Sequence, residues 1–330
     1  MCDGASNRIG DPWVGAIFAF ATFVTPFATA HSEQFPSENI RLIVNVAAGG
    51  VTDSVARLVG HGLNAKWGKP VIVENLVGGN SSIAAQAVMR AKPDGHTLFV
   101  TADAPFTSTP FIVKKPSFGL AQFTPIAVVC RPVPVFAVRA SLGVKTFKEF
   151  MALAKARPGT LNYASQGVGT YGHLGMEDFK RRTGMDLLHV PYRGGAPAIE
   201  GLVRGDVAAL IVNYSNIEPF VQSGDVALLA ALGEQRGKMR PDIPTAIEEG
   251  IPFSVSTWFG IFGPAGMSPD LVTKIRNGVE EVLVSDKSAE FFKLNSCERV
   301  KATPQQFSEI ITADYNHWHS VVEAVGIQPE

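Results

Sequence analysis

The chain has 330 residues, of which 46% are apolar and 18% are charged, a composition typical of a globular protein with a large core. At this length we expect about two domains. The formal net charge is −1 and no basic patch is visible, which excludes nucleic acid as a partner.

Residues 1–30 have the features of a secretory signal peptide. An uncharged run over 13–24 is followed by Pro26 and by Ala28-Thr29-Ala30, the small-residue pattern at which such peptides are cleaved. The run is too short for a comfortable membrane span. We therefore predict export, with cleavage after Ala30. The alternative is a buried N-terminal helix.

Strand and helix signals then alternate along the chain. In order they are IRLIV (40–44), a helix over 52–67, VIVEN (71–75), a helix over 81–92 and HTLFVT (96–101). This alternation predicts βαβ units with parallel strands. Gly49 and Gly50 lie between the first strand and its helix, a position typical of an anion bound at a helix N-terminus.

The same order recurs about 116 residues later, the offset between Gly78-Gly79 and Gly194-Gly195. The second series is LNYAS (161–165), GVGTYG (167–172) opening a helix, LLHVPY (187–192), a helix over 196–203 and VAALIVN (207–213). We predict two lobes of similar construction. Each would carry a glycine-rich loop at the carboxyl ends of its strands, where open α/β sheets bind ligands.

Two long extended segments, CRPVPVFAV and STWFGIF, are interpreted as crossings between the lobes. The predicted division is 31–130 plus 254–330 for lobe 1, which is discontinuous, and 131–253 for lobe 2. Beyond the second crossing, Ser268 is a plausible N-cap for a helix over 271–283, and 303–325 is predicted to be helical.

Of the three cysteines, Cys2 lies in the predicted signal peptide, so Cys130 and Cys297 remain. In an oxidising compartment two cysteines can pair, but their spacing alone does not show it. We expect two buried free thiols.

GVGTYG also has the G-x-G-x-x-G spacing of a dinucleotide-binding loop, after a strand and at the start of a helix. That fingerprint needs an acidic residue near the end of the next strand to hold a ribose hydroxyl, but Arg193 follows this strand. Because an arginine suits a 2′-phosphate, an NADP-dependent enzyme stays open as an alternative.

No other pattern indicates catalysis or a metal site. The chain has no Walker sequence and no serine in a nucleophile elbow. His317 and His319 lie two apart in a predicted helix and so point to different faces. Asp53 is interpreted as a helix cap rather than a base or a metal ligand, because a carboxylate there meets free N–H groups. We predict no catalytic residue, no metal and no cofactor.

A series of motifs, in this order, carries a resemblance to a known family. They are QFPSENIRLIV, Gly49-Gly50 with Thr52-Asp53, VIVEN, KPDGHTL, YASQGVGTYGHL, HVPYRGGAPAIEGLVRGDV, RPDIPTAIEEG, WFGIFGPAG and GIQPE. With them, residues 35–330 resemble the substrate-binding proteins of the tripartite tricarboxylate transporter system, the TctC-like or Bug family.

The resemblance implies a periplasmic α/β protein with the two-lobed periplasmic-binding-protein (Venus flytrap) fold, each lobe a mostly parallel sheet flanked by helices. It implies a receptor rather than an enzyme. The receptor would be a monomer that captures a small carboxylate-bearing metabolite between its lobes and delivers it to membrane permease subunits. A sensor that presents its ligand to a signalling partner is the alternative.

By position, the resemblance also assigns ligand-binding residues in both lobes. They are Ala48, Gly49, Gly50, Thr52, Thr101, Ala102, Asp103, Ser165, Gly167, Gly169, Thr170 and Asn213. The chain departs from the family pattern where Ala48 and Val51 replace a proline and a glycine, and where Asn213 stands in place of a common aspartate. A dicarboxylate, an aromatic acid or an acidic amino acid therefore all remain possible as the ligand.

Overall fold

A computed structural model describes residues 35–238 and 240–329. The predicted signal peptide and its cleavage after Ala30 lie outside the described residues. Among the described helices, none combines the length and the apolarity that a membrane crossing requires.

Helices and strands alternate along the chain as follows. The first part contains β1 (Ile40–Val44), α1 (Val51–Trp67), β2 (Val71–Asn75), α2 (Ser82–Met89), β3 (Thr97–Ala102), α3 (Ala104–Thr107), α4 (Thr109–Ile112) and β4 (Phe123–Pro132). The middle part contains β5 (Pro134–Arg139), α5 (Phe147–Ala156), β6 (Asn162–Ser165), α6 (Tyr171–Thr183), β7 (Leu188–Pro191), α7 (Gly195–Arg204), β8 (Ala209–Asn213), α8 (Tyr214–Gln222) and β9 (Val226–Ala231). The last part contains β10 (Phe259–Pro264), α9 (Pro269–Leu283), α10 (Asp286–Leu294), β11 (Cys297–Arg299) and α11 (Pro304–Val325).

The strands form two sheets, in the orders β11-β4-β10-β3-β1-β2 and β7-β6-β8-β5-β9. We call the parts built on them lobe 1 and lobe 2. The predicted α/β fold of two helix-flanked sheets is confirmed, but the prediction of mostly parallel sheets is wrong. Only the pairs of β1 with β2 and β3, and of β6 with β7 and β8, are parallel within the described sheets. The strands β5 and β10 enter from the other lobe at the edge where the parallel strands end, and so run in the opposite direction.

The predicted internal repeat is present. The series β1-α1-β2-α2-β3 of lobe 1 corresponds to β6-α6-β7-α7-β8 of lobe 2. The first helix of each series ends at a left-handed glycine, Gly68 with φ 64° and Gly184 with φ 67°. A residue with a Cβ is disfavoured in this conformation, so the same chemical signal ends both helices.

The chain passes from lobe 1 to lobe 2 between Pro132 and Pro134, and returns through residues 254–258 before β10. We call these stretches the crossing segments. They lie close to the positions expected from the sequence, although the lobe boundaries placed after residues 130 and 253 stay a prediction.

Helix α11 packs against both lobes. Near its start Phe307 contacts Trp258 at 5.0 Å between ring centroids in the core of lobe 1, whereas Trp318, 1% exposed, is buried with Phe136 in the core of lobe 2. The assignment of all of 254–330 to lobe 1 therefore needs correction. The amphipathic pattern shows that the helix buries one face, but it does not show which partner each turn meets.

The expectation of two free thiols is wrong, because Cys130 and Cys297 form a disulfide. The two residues are 167 positions apart in the sequence, and only the antiparallel pairing of β11 with β4 brings them together. The bond fastens the edge strand of lobe 1 to the end of the strand that leads into the first crossing segment.

Replacing Trp318 by alanine should reduce the free energy of unfolding by about 3–5 kcal/mol, because it leaves a cavity in the core that α11 shares with lobe 2. Asn316→Ala on the exposed face of the same helix is the control and should change it by less than about 0.5 kcal/mol. Urea denaturation measures both. Equal effects would contradict the packing of α11 on lobe 2.

Candidate functional site

Both sheets present the carboxyl ends of their parallel strands beside the crossing segments. In lobe 1, β3 and β4 are both antiparallel to β10, so they run the same way, and β4 ends at the first crossing. In lobe 2, the pairing of Pro134 with Asn213 places the end of β8 beside the start of β5. The loops after β1, β3, β6 and β8 therefore lie where open α/β sheets bind ligands, and all twelve predicted ligand-binding residues lie in or next to these loops.

The loop after β1 is open to solvent. Ala48, Gly49 and Gly50 are exposed, whereas Thr52 is buried in the first turn of α1. Gly49 has a φ of 91°, a conformation that favours glycine. Gly50 is the N-cap, with no side chain to satisfy the N–H groups of the first turn.

The carboxylate of Asp53 holds this loop in shape. It is 2% exposed and accepts hydrogen bonds from Arg57 Nε at 2.8 Å, the Gly49 N–H at 3.0 Å and Asn75 Nδ2 at 3.0 Å. These donors, the Arg57 guanidinium above all, lower the pKa of Asp53 to about 2. The predicted cap role needs correction, because Asp53 lies in the first turn and binds a loop N–H that precedes the N-cap.

In the loop after β6, the predicted residues already bind one another. Thr170 is the N-cap of α6, and its hydroxyl donates to the Gly167 carbonyl at 2.8 Å. The buried Ser165 hydroxyl donates to the same carbonyl at 3.1 Å. The hydroxyl of Thr170 is therefore occupied within the loop, and a ligand would have to replace this bond to use it as a donor.

Two histidines that the sequence analysis did not assign support this loop. His189 Nε2 lies 2.7 Å from Ser165 Oγ, and His173 Nδ1 accepts the N–H of Gly169 at 3.1 Å. The two imidazoles stack with centroids 4.1 Å apart. Burial lowers the pKa of both rings, that of His189 to about 4, so both are neutral near pH 7 and His173 keeps its acceptor nitrogen.

The third group of predicted residues lies at the ends of β3 and β8. Thr101 and Asp103 are buried and Ala102 is partly buried. Asp103 Oδ1 accepts from Thr257 Oγ1 at 2.7 Å, which joins the end of β3 to the second crossing segment. Burial raises the pKa of Asp103 to about 7. Asn213 ends β8, is 9% exposed, and its buried side-chain Oδ1 has no hydrogen-bond partner in the described part of the chain.

The two lobes touch at the second loop. A Cβ built on Gly169 would lie 2.0 Å from Ile112 Cδ1, so the backbone of lobe 2 lies against the side chain of α4 and a larger residue there would require Ile112 to move. Nothing in the pattern TPFI marks Ile112 as a contact across the lobes, because the approach depends on how the lobes are arranged.

Among the residues that the structure describes, one group of side chains lies within reach of a single metal ion, namely Glu38, Asp94 and His96. Only Nε2 of its histidine is engaged, since it accepts the Ser37 N–H at 3.2 Å, whereas the buried Nδ1 lies 3.2 Å from Asp94 Oδ1 without a hydrogen bond in the described part of the chain. The contact of Nε2 with Ser37 holds the chain before β1.

The family model described as the tripartite tricarboxylate transporter family receptor matches residues 55–327. The chain belongs to this receptor family. A UPF0065 protein of Bordetella pertussis is 31% identical to it over 92% of this chain and 94% of its own length.

Two solved structures of receptors resemble the fold closely. Rpa4515 of R. palustris with adipate has a TM-score of 0.80 at 28% identity and covers 90% of this chain and 100% of its own. MatC (Rpa3494) from Rhodopseudomonas palustris with bound malate has a TM-score of 0.75 at 28% identity, with 87% and 100% coverage. The predicted two-lobed fold of periplasmic solute receptors is confirmed.

The buried Asp103 carboxyl should make the protein less stable as the pH rises. Its pKa of about 7 lies above the ordinary value of 3.8, so the folded state binds the proton more tightly than the unfolded state. The stabilisation is fully present below pH 4 and is lost as the pH rises through 7. Relative to Asp103→Asn, which keeps an acceptor for Thr257, the wild type should lose about 1–3 kcal/mol of its free energy of unfolding between pH 5 and 8.

Urea denaturation at several pH values measures this difference, with the exposed Asp206→Asn as the control for loss of one acid. Parallel stability curves for the wild type and Asp103→Asn would show that the Asp103 carboxyl is ionised in the folded protein.

Proposed function

We propose that the chain captures a small carboxylate-bearing metabolite between its lobes in the periplasm and delivers it to a tripartite tricarboxylate-type permease. The observation that carries the proposal is the repeated loop-to-helix unit. One unit leads from β1 into α1 and the other from β6 into α6, and both begin at the strand ends beside the crossing segments.

Each unit leaves backbone donors free. The first N–H groups of a helix have no partner within it, and no other partner is found in the described chain for those of Val51 and Thr52 in α1 or Tyr171 and Gly172 in α6. Such groups, with the positive end of the helix dipole, favour an anion, each helix by about 0.3–1 kcal/mol.

We further propose a dicarboxylate as the ligand. The adipate-bound and malate-bound receptors are similar to this chain over most of its length. The side chain of Asn213 adds a neutral donor at the end of β8, which does not repel a second ligand carboxylate as an aspartate would. An aromatic acid or an acidic amino acid is a competing outcome of the binding screen described below.

The Ser165–His189 contact gives no support to an enzyme. A catalytic serine must be reachable, but Ser165 is 0% exposed. Its hydroxyl is bound within its own loop, and no carboxylate of the described chain orients the ring of His189 through a hydrogen bond. We therefore propose a receptor without catalytic residues or cofactor.

A thermal-shift screen tests the ligand class after co-purified ligand is removed by unfolding and refolding. A ligand that binds only the native state adds about 2.7 kcal/mol at a hundredfold excess over its dissociation constant, which raises the melting temperature by a few degrees at this size. We expect a shift with dicarboxylates and none with NAD or NADP. A shift with NADP alone would favour the enzyme instead.

Gly50 allows a matched test of the anion site. Its φ of −75° is ordinary, and a Cβ there would lie 3.7 Å from its nearest neighbour, so larger residues fit. Gly50→Asp should weaken binding of the acid found in the screen by about tenfold to a hundredfold, because a fixed carboxylate takes the place of the ligand's. Gly50→Asn is the uncharged control, and both residues are favoured N-caps that should stabilise the fold slightly.

Calorimetry measures the two affinities, and thermal unfolding measures the two stabilities. Equal affinities for Gly50→Asp and Gly50→Asn would place the ligand carboxylate away from the N-terminus of α1. The delivery step is tested separately, by uptake of the same acid into cells that carry or lack the permease.

A further inference from the structure

A second cleft, of about 440 Å³, lies where the chain passes between the lobes. We call it the hinge cleft. Its walls are residues 131–134 and 254–257 of the two crossing regions, residues 233–238 of lobe 2, Glu298 of β11, and Ile310, Ala313 and Asp314 of α11. None of the residues proposed to bind the carboxylate between the lobes lines it, so its chemistry needs a separate explanation.

The guanidinium group of Arg131 borders the hinge cleft. Its Nε is buried, and none of its nitrogens makes a hydrogen bond or an ion pair with any residue in the described part of the chain. A cation that is partly withdrawn from water and left unpaired is unfavourable, because burial removes hydration that nothing replaces.

Two acids that line the cleft with Arg131, Glu298 and Asp314, accept hydrogen bonds from other donors. Glu298 stands opposite Arg131 in the β4–β11 pairing, but its Oε1 accepts the N–H of Lys238 at 2.5 Å. Asp314 accepts from Trp258 Nε1 at 2.9 Å and from Ser256 Oγ at 3.2 Å. The charge of Arg131 acts on Asp314 and opposes the rise in its pKa that burial causes, but neither acid accepts a hydrogen bond from the guanidinium in the described part of the chain.

The other charges of the cleft limit what can enter. Arg236 is paired with Glu248, which leaves Arg131 and Lys238 as the cations that can meet a ligand. A carboxylate matches the planar fork of an arginine in a bidentate geometry. A second negative charge on the ligand would face Glu234, Glu298 and Asp314 on the same walls.

We propose that the hinge cleft is a second anion site, which binds a small monocarboxylate on the guanidinium group of Arg131. It goes beyond the proposed receptor function, because it is a different site with a different charge preference. Since residues of both lobes line it, its occupant contacts both lobes.

The test is calorimetric titration of the purified full chain with acetate, propionate and benzoate. Gly50→Asp is the background, because it is expected to weaken binding at the proposed site between the lobes by about tenfold to a hundredfold. In Gly50→Asp we expect one monocarboxylate site. Its affinity should not change when Arg204→Gln is added, because Arg204 is an exposed arginine that serves as the charge control. Its affinity should fall at least tenfold when Arg131→Gln is added. Arg131→Lys keeps the charge but not the planar fork, so its affinity should lie between that of Gly50→Asp alone and that of Gly50→Asp with Arg131→Gln.

Several results would overturn the proposal. They are the absence of monocarboxylate binding to Gly50→Asp, an affinity that Arg131→Gln leaves unchanged, and a crystal soaked in benzoate that shows only water beside Arg131. Circular dichroism and melting curves establish that each variant is folded. If Arg131→Gln removes binding of every acid to the otherwise native chain while Gly50→Asp removes none, the hinge cleft is confirmed and the proposed site between the lobes fails.

Discussion

The proposed binding site depends on backbone N–H groups that helices α1 and α6 cannot satisfy internally. A helix leaves its first N–H groups without partners, and both helices begin directly after glycine-rich loops at the ends of parallel strands. An anion satisfies these groups without any charged side chain. Because the groups belong to the backbone, their positions do not depend on side-chain rotamers. The side chains around the loops serve to hold that backbone in place.

The two lobes hold their loops by different chemistry. In lobe 1 a single carboxylate, Asp53, binds the loop N–H and is kept ionised by Arg57. In lobe 2 two stacked neutral histidines bind the hydroxyl of Ser165 and the N–H of Gly169. The neutral histidines of lobe 2 place no negative charge beside an anionic ligand. In lobe 1 the negative charge of Asp53 is offset by its ion pair with Arg57.

The arrangement of the lobes is restrained at the crossings. The disulfide between Cys130 and Cys297 fixes the strand that enters the first crossing, and Asp103 binds Thr257 in the second. Helix α11 packs with its first turns on lobe 1 and its last turns on lobe 2. These contacts lie at the crossings between the two lobes, whereas at the loops the lobes approach each other where Ile112 meets Gly169.

Local patterns in the sequence determined the helices, the strands, the repeat and the two glycine-rich loops, because period, glycine and capping signals act within a few residues. The family motifs then predicted which loops bind the ligand. Only the tertiary structure decided the pairing of Cys130 with Cys297, the mixed sheets, the double role of α11 and the position of Arg131 in the hinge cleft. Each of these depends on residues distant in the chain, and a sequence read locally contains no signal for which distant partner a strand edge or a helix face will meet.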